Sequence, residues 1–266
     1  MSSKILPDEL TGAVPASGAI ADFVLCGGVS GATTGVAADP QWKPSPMGFE
    51  FLIRRQWAHQ MGVMNNNALL SEGTQAPTIA TPGAVAGTSF GANGSQIVLS
   101  TTAVANVDAG LTGPALQTRF DHNPQIGFAW GPAGVITTAR FWLGLFSATP
   151  MGSATPAVHF AGFRYDTSAG DTTIQAMVGG GAATTVVGST SMVSGVGSRK
   201  NLWIRVLNAG GTIEFWDGLN HLGTATSGVT PNFPGTTQNL AYYAMVRTLA
   251  ASIRTIGISR VAGFES

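Results

Sequence analysis

The sequence predicts an all-β protein whose main body is a β-sandwich. Short runs rich in β-branched and aromatic residues, each bounded by Gly, Asn, Asp or Pro, fill the second half of the chain; such runs are typical of antiparallel strands joined by turns. They recur about every ten residues, which is the spacing of sandwich strands. The predicted strands include 96–100, 117–121, 127–130, 140–146, 161–166, 173–178, 184–187, 202–207, 212–217 and 254–260.

Alternation within these runs assigns a core face and an outer face, because successive side chains of a strand point to opposite sides. Leu202, Ile204 and Val206, Ile213 and Phe215, and Ile256 and Ile258 are predicted to point inward, and Trp203, Arg205, Glu214 and Trp216 outward. The hairpin at 208–211 then places Arg205 near Glu214. A cross-strand pair of this kind contributes about 0.2–1 kcal/mol.

The chain divides into three predicted segments: an extended arm over 1–46, a short helix and linker over 47–89, and the sandwich over 90–266. The arm is rich in Gly, Ala, Ser, Thr and Pro and has no helical or alternating period. Such a segment buries too little apolar surface to offset its chain entropy. We therefore expect it either to fold back on its own domain or, as we favour, to lie across neighbouring subunits.

A helix is predicted over 47–63. Phe49, Leu52, Ile53 and Trp57 fall at roughly helical spacing, and Pro46 precedes them, as is favourable at a helix start. Gly62 and the asparagines that follow supply a stop. A strand over 49–53 is the alternative.

Composition excludes several classes of function. Charged residues are 10% of the chain and the net charge is zero, so the basic surface of a nucleic-acid-binding protein is missing. The single cysteine, Cys26, allows no intrachain disulfide. The N-terminus lacks the pattern of a signal peptide, and no apolar run approaches the ~20 residues of a membrane span. So neutral a surface is typical of proteins that belong to an assembly.

No cofactor or metal site is predicted. His59, His122, His159 and His221 are not spaced as metal ligands with one another or with Cys26. The glycine run 179–181 lacks the lysine and the helix of a phosphate-binding loop. Oxygen ligands for calcium could come from Asp166, Asp171, Asp217 and Asn220, but they match no complete loop pattern.

Two further kinds of site are weighed against structural roles. Glu214 with Asp217, or Asp166 with Asp171, could form the paired carboxylates of a glycosidase, but an outward Glu214 and aspartates in turns disfavour this. Trp142, Trp203 and Trp216 could form a sugar-binding platform, although strand tryptophans more often belong to a core or an interface. We therefore expect no enzymatic activity.

Five segments resemble the concanavalin A-like jelly-roll modules of tailed-bacteriophage structural proteins: RFWLGLF (140–146), AGFRYDT (161–167), LWIRV (202–206), IEFWDG (213–218) and RTIGIS (254–259). The resemblance covers roughly residues 90–266. It implies a jelly-roll fold and a part of the virion, which is a capsid decoration (cement) protein, a head fibre or a tail-associated module. It implies no catalytic residues.

The leading expectation is thus a virion structural protein, most simply a trimeric capsid decoration protein assembled in the host cytoplasm. Its expected partners are the major capsid protein or other virion subunits and further copies of itself. The predicted contact residues are Phe23, Val24, Leu25, Phe49, Phe51, Ile53 and Trp57. The alternative is a tail or head-fibre module that binds a carbohydrate or a receptor, with a host surface glycan as its partner.

Overall fold

A computed structural model describes residues 55–58, 60–64, 68–72, 78–80, 84–91, 94–113, 118–192 and 199–265. Their regular secondary structure is strand, apart from two single-turn 3-10 helices at Phe120–His122 and Thr167–Ala169. The strands are β1 Arg55–Ala58, β2 Gln60–Met64, β3 Ala68–Glu72, β4 Thr78–Ala80, β5 Ala84–Gly91, β6 Gly94–Ser100, β7 Asp108–Thr112, β8 Thr118–Arg119, β9 Gln125–Pro132, β10 Ala139–Phe146, β11 His159–Asp166, β12 Thr173–Gly180, β13 Thr184–Ser191, β14 Lys200–Leu207, β15 Thr212–Asp217, β16 Asn220–Thr226, β17 Asn239–Thr248 and β18 Thr255–Glu265.

Two antiparallel sheets form a sandwich, which confirms the predicted all-β jelly-roll class. Sheet 1 has the order β16-β15-β14-β9-β18-β6-β5, and β1 also pairs with β18. Sheet 2 has the order β13-β12-β11-β10-β17-β7-β4, and β8 also pairs with β17. Strands β2 and β3 form a separate hairpin. Strands β1 and β4 and most of β5 come from the segment 47–89.

The core lies between the sheets and follows the predicted alternation. In sheet 1 the inward side chains of β14, β15 and β18 are the aliphatic and aromatic residues predicted from sequence, and all are buried. Sheet 2 contributes Phe141, Leu143, Phe163 and Val246 from its central strands. Burying a side chain of this size stabilises the fold by about 1.5–3 kcal/mol, so this interior is the main source of stability.

The helix predicted over 47–63 is wrong where the structure describes that segment. Residues Arg55–Ala58 and Gln60–Met64 are strands. The partner of β1 is β18, with Arg55 opposite Glu265 and Ala58 opposite Gly263. A pairing across some two hundred residues overrides local propensity and cannot be read from local periodicity. Residues 47–54, which include the alternative strand over 49–53, lie outside the described part of the chain.

One edge of the sandwich is closed by two β-bulges that face each other. A register shift in β12–β13 leaves Val187 as an extra residue of β13, and one in β15–β16 leaves Leu222 as an extra residue of β16. Gly188 lies against the carbonyl oxygen of Leu222, and Gly223 lies against that of Val187. A Cβ at either glycine would fall far inside van der Waals contact distance of that oxygen. The backbones of the two sheets therefore touch at this edge.

Candidate functional site

The outer face of sheet 2 carries a second apolar cluster beneath a loop, residues 147–158, which we call the strap. Every residue of β10 is buried, so both of its faces are covered. Met151 of the strap packs in one cluster with the buried side chains of Trp142, Phe146, Phe160, Met177 and Met245. The indole N–H of Trp142 donates to the carbonyl of Ser153 at 3.4 Å. Trp142 is thereby a structural residue and is not available as a sugar platform.

Two arginines hold the strap to sheet 2. Arg140 donates from Nε to Asp166 Oδ2 at 2.5 Å and from Nη1 to the Met151 carbonyl at 3.0 Å. Arg164 donates to both carboxylate oxygens of Asp171, at 2.8 and 2.9 Å, and to the carbonyl of Ala154 at 2.6 Å. Each arginine therefore links a carboxylate in or just after β11 to the backbone of the strap.

These contacts give Asp166 and Asp171 structural roles. Burial alone would raise the pKa of Asp166, but hydrogen bonds from Ser168 and Arg140 outweigh it and bring the pKa below the ordinary 3.8. Asp171 also accepts the backbone N–H of Asp166 at 2.9 Å. Both carboxylates are held by arginines, and no group of three or more His, Cys, Asp or Glu side chains within the described ranges could hold a metal ion.

Glu214 and Asp217 do not form a pair. Three positions apart on β15, they point to opposite faces of sheet 1. Asp217 accepts hydrogen bonds from Lys200 and from Thr190 of β13, the latter at 2.7 Å, and so ties the two sheets together. Glu214 lies on the outer face, as predicted. The two carboxylates therefore do not converge on one groove.

The outer face of sheet 1 presents a row of aromatic side chains, Trp203, Trp216 and His221, which we call the aromatic row. Trp203 stands opposite Trp216 on the neighbouring strand, and Trp216 stands opposite His221. The ring centroids of Trp216 and His221 are 4.8 Å apart. Trp203 is 6% exposed and packs over Gly127, whereas Trp216 is partly exposed and His221 is exposed. The row thus becomes accessible toward the sheet edge.

Charged side chains flank the aromatic row. The Trp216 indole N–H donates to Glu214 Oε2 at 3.3 Å, and Arg205 Nη1 lies 4.0 Å from the same oxygen. The predicted proximity of Arg205 and Glu214 is thereby confirmed. Both side chains are 21% exposed. His221 Nε2 lies 2.9 Å from the hydroxyl of Thr224.

The other two described histidines, His122 and His159, make local structural contacts. His122 Nε2 is 3.9 Å from Asp121 in the short 3-10 helix. His159 Nδ1 accepts the backbone N–H of Gly235 at 3.0 Å, which ties β11 to the segment before β17. His59 lies outside the described residues.

One end of the sandwich carries exposed aliphatic side chains on its connecting loops, and we call it the apolar end. Val104 is 59% exposed, Val135 61%, Leu219 62% and Ile253 56%. They account for four of the six large hydrophobic side chains exposed in the described part of the protein. Their loops lie at the same end of the sandwich, and an exposed apolar surface, unlike scattered single residues, typically marks an interaction surface.

Arg254 organises the apolar end. Its Nε donates to the Thr137 carbonyl at 2.5 Å and its Nη2 to the Thr138 hydroxyl at 2.5 Å. Its backbone N–H donates to the Thr101 hydroxyl at 2.9 Å. The loops 101–107, 133–138 and 249–254 are thus held together, and Arg254, which is 7% exposed, is their single charged residue. Their surface is consequently neutral.

The predicted contact residues are not tested by the structure. The residues Phe23, Val24, Leu25, Phe49, Phe51 and Ile53 lie outside the described residues, and Trp57 belongs to β1.

Sequence reasoning missed the strap and the apolar end. The strap had a signal, because 140–146 is apolar at both parities, which indicates a strand covered on both faces. The apolar end had none, since its residues converge only through the topology.

No protein-family model and no curated protein matches the sequence. Solved structures do resemble the fold. A protein of unknown function, SO2946 from Shewanella oneidensis MR-1, aligns with a TM-score of 0.55 at 12% identity over 78% of this chain and 85% of that one. The carbohydrate recognition domain of Emp47p aligns with a TM-score of 0.54 at 10% identity over 78% and 95%. The concanavalin A-like jelly-roll resemblance is thereby confirmed for the fold alone.

The expectation of no enzymatic activity was wrong, because this class of fold does not support such a conclusion. Enzymes are among the solved structures that the chain matches, for example the Bacillus licheniformis beta-glucanase, with a TM-score of 0.48 at 11% identity over 79% of this chain and 98% of that one. Likeness at this level assigns no activity to this chain.

None of the helices in the described ranges has the length and apolar character of a membrane span.

Proposed function

We propose that this chain is a structural protein of a tailed-bacteriophage virion, most specifically a capsid decoration (cement) protein. The proposal rests on the exposed aliphatic side chains of the apolar end. Its neutral loops and exposed aliphatic side chains form a surface suited to burial against another subunit. The low charge of the whole chain and the resemblance of 90–266 to phage jelly-roll modules support the same role.

The proposed mechanism is mechanical. The apolar end contacts the major capsid protein or another virion subunit and removes apolar area from water at about 25 cal/mol per Å² before the entropic cost of association. Further copies of the chain, in a homotrimer, would complete the contact. The protein would join the particle after synthesis in the host cytoplasm.

The test is a triple substitution of the apolar end, Val104→Asp, Val135→Asp and Ile253→Asp. Each side chain contributes about 1.5 kcal/mol or more when fully buried, so the loss of all three should lower the affinity for the particle about 1,000-fold. The occupancy of the particle should fall as a result. Val229→Asp is the matched control, because Val229 is 79% exposed and follows β16 at the opposite end. Occupancy is measured by quantitative mass spectrometry of purified particles. Equal occupancy of the triple variant and the control would reject this surface as the contact.

The N-terminal arm stays a prediction that a deletion can test. Removal of residues 1–46 should lower occupancy if the arm crosses neighbouring subunits. Undiminished occupancy would leave the apolar end as the contact and remove the arm from the mechanism. Light scattering of the purified full chain measures whether it forms trimers.

A second candidate function is a tail or head-fibre module that binds a carbohydrate. The aromatic row with Glu214 and Arg205 is the observation that favours it. A carbohydrate recognition domain, that of Emp47p, has the same fold. The two candidates make different predictions, because particle attachment depends on the apolar end and carbohydrate binding on the outer face of sheet 1.

A further inference from the structure

The side chains around Trp216 have no part in the packing of the two sheets. Ile213 and Phe215 of the same strand supply the core contacts of β15, and both are fully buried. Glu214 and Trp216 alternate with them and face away from the core. These two side chains are therefore not used in packing, unlike Trp142, which is buried under the strap.

The polar groups beside Trp216 are pre-arranged. Glu214 Oε2 accepts the indole N–H of Trp216, which fixes the carboxylate beside the ring edge. Arg205 Nη1 lies 4.0 Å from the same oxygen. A carboxylate has about four acceptor sites, so Glu214 can accept further hydrogen bonds from a ligand. With both side chains 21% exposed, these sites can be reached from solvent.

An indole with a fixed carboxylate and a guanidinium at its edge matches the chemistry of a pyranose. A pyranose has an apolar face of C–H groups, which packs on an aromatic ring, and hydroxyl groups around its rim. Binding sites combine an apolar surface with a few placed polar groups in this way. The Glu214 carboxylate favours a ligand that donates hydrogen bonds, and Arg205 beside it leaves the pair without net charge, which matches an uncharged ligand.

We propose that the outer face of sheet 1 at Trp216 is a binding site for neutral saccharides, meaning hexoses or N-acetylated hexosamines of a surface polysaccharide. The pyranose face packs on Trp216, Glu214 accepts hydrogen bonds from ring hydroxyls, and Arg205 and His221 border the site. This inference rests on the second candidate function and gives it a site and a ligand class. It is independent of attachment through the apolar end.

The test is a glycan array of neutral and acidic oligosaccharides probed with the full-length chain, followed by calorimetric titration of the bound sugars. We expect neutral sugars to bind and Trp216→Ala to weaken binding by about tenfold or more. Glu214→Gln keeps the shape and the hydrogen bond from the indole, and we expect it to weaken binding while lowering stability by no more than about 1 kcal/mol. Asp121→Asn, a carboxylate-to-amide change outside the aromatic row, is the control and should bind like the wild type.

The outcomes separate the site from the function. If neutral sugars bind and both Trp216→Ala and Glu214→Gln bind them as the wild type does, the site assignment is wrong while carbohydrate recognition stands. If no sugar binds at millimolar concentration, or only acidic sugars do, the inference is overturned. The triple variant of the apolar end should bind sugars normally, because its substitutions lie on the loops at the end of the sandwich.

Discussion

Replacing Arg140 with methionine should cost more stability than an ordinary surface substitution. Arg140 and Asp166 form an ion pair with side chains only 8% and 0% exposed. Without the arginine, the buried Asp166 carboxylate keeps only its hydrogen bonds from Ser168, at 2.8 Å to N and 2.6 Å to Oγ. Breaking a buried pair from one side costs about 3–5 kcal/mol. That is a large part of the 5–15 kcal/mol that stabilises a typical domain.

The same substitution should loosen the strap. Arg140 Nη1 donates to the carbonyl of Met151, whose side chain is 1% exposed in the cluster on sheet 2. Loss of this anchor should increase amide hydrogen exchange across residues 147–158 before the sheets themselves open. Guanidinium unfolding gives the global cost, and hydrogen exchange by mass spectrometry gives the local one.

Two comparisons make the result decisive. Arg119→Met removes a charge paired with Asp121 at the protein surface, where both side chains are substantially exposed, and should change stability little. The double variant Arg140→Met with Asp166→Leu removes both charges together and should recover much of the loss. An Arg140→Met variant no less stable than Arg119→Met, with unchanged exchange in the strap, would refute the reasoning.

Three further predictions concern the sheet edge, the response to acid and the apolar end. Gly188→Ala and Gly223→Ala should each cost about 1–3 kcal/mol in urea unfolding, because a Cβ has no room against the facing carbonyl, whereas Gly152→Ala, with open space around it, should be neutral. Asp166 has a folded-state pKa below the ordinary 3.8, so its contribution to the free energy of unfolding is fully present above that pH and is lost as the pH falls further. Urea midpoints measured from pH 7 to pH 3 should therefore fall less steeply for Asp166→Asn than for the wild type, and parallel curves would contradict this. Arg254→Met should cost about 1–3 kcal/mol by removing the hydrogen bonds that the guanidinium donates to Thr137 and Thr138, and it should speed hydrogen exchange in 133–138. Unchanged exchange there would show that the Arg254 side chain does not hold this loop.

Sequence reasoning succeeded where a local rule decides the structure. The alternation of Ile213, Glu214, Phe215 and Trp216 fixed which side chains face the core, because one face of a strand must be buried. The same rule placed Glu214 beside Arg205 across the hairpin. These contacts join neighbouring strands whose turn is short, so their register follows from the chain itself.

Reasoning from sequence failed where distant segments meet. The strand β1 pairs with the end of β18, and nothing in residues 55–58 signals a partner at the other terminus. The facing bulges at Val187 and Leu222 are equally invisible, because each is an irregularity in a different hairpin. The aspartates at 166 and 171 looked available for chemistry, and only the fold shows the arginine that holds each of them.

The facing bulges make the two sheets a single mechanical unit at that edge. Sliding one sheet past the other would drive the Val187 and Leu222 carbonyls into the glycines opposite them, and it would also stretch the link from Lys200 through Asp217 to Thr190. Shear applied to either sheet is therefore transmitted to the other through backbone atoms, which yield less than side chains do. Load that enters through one sheet is shared by both.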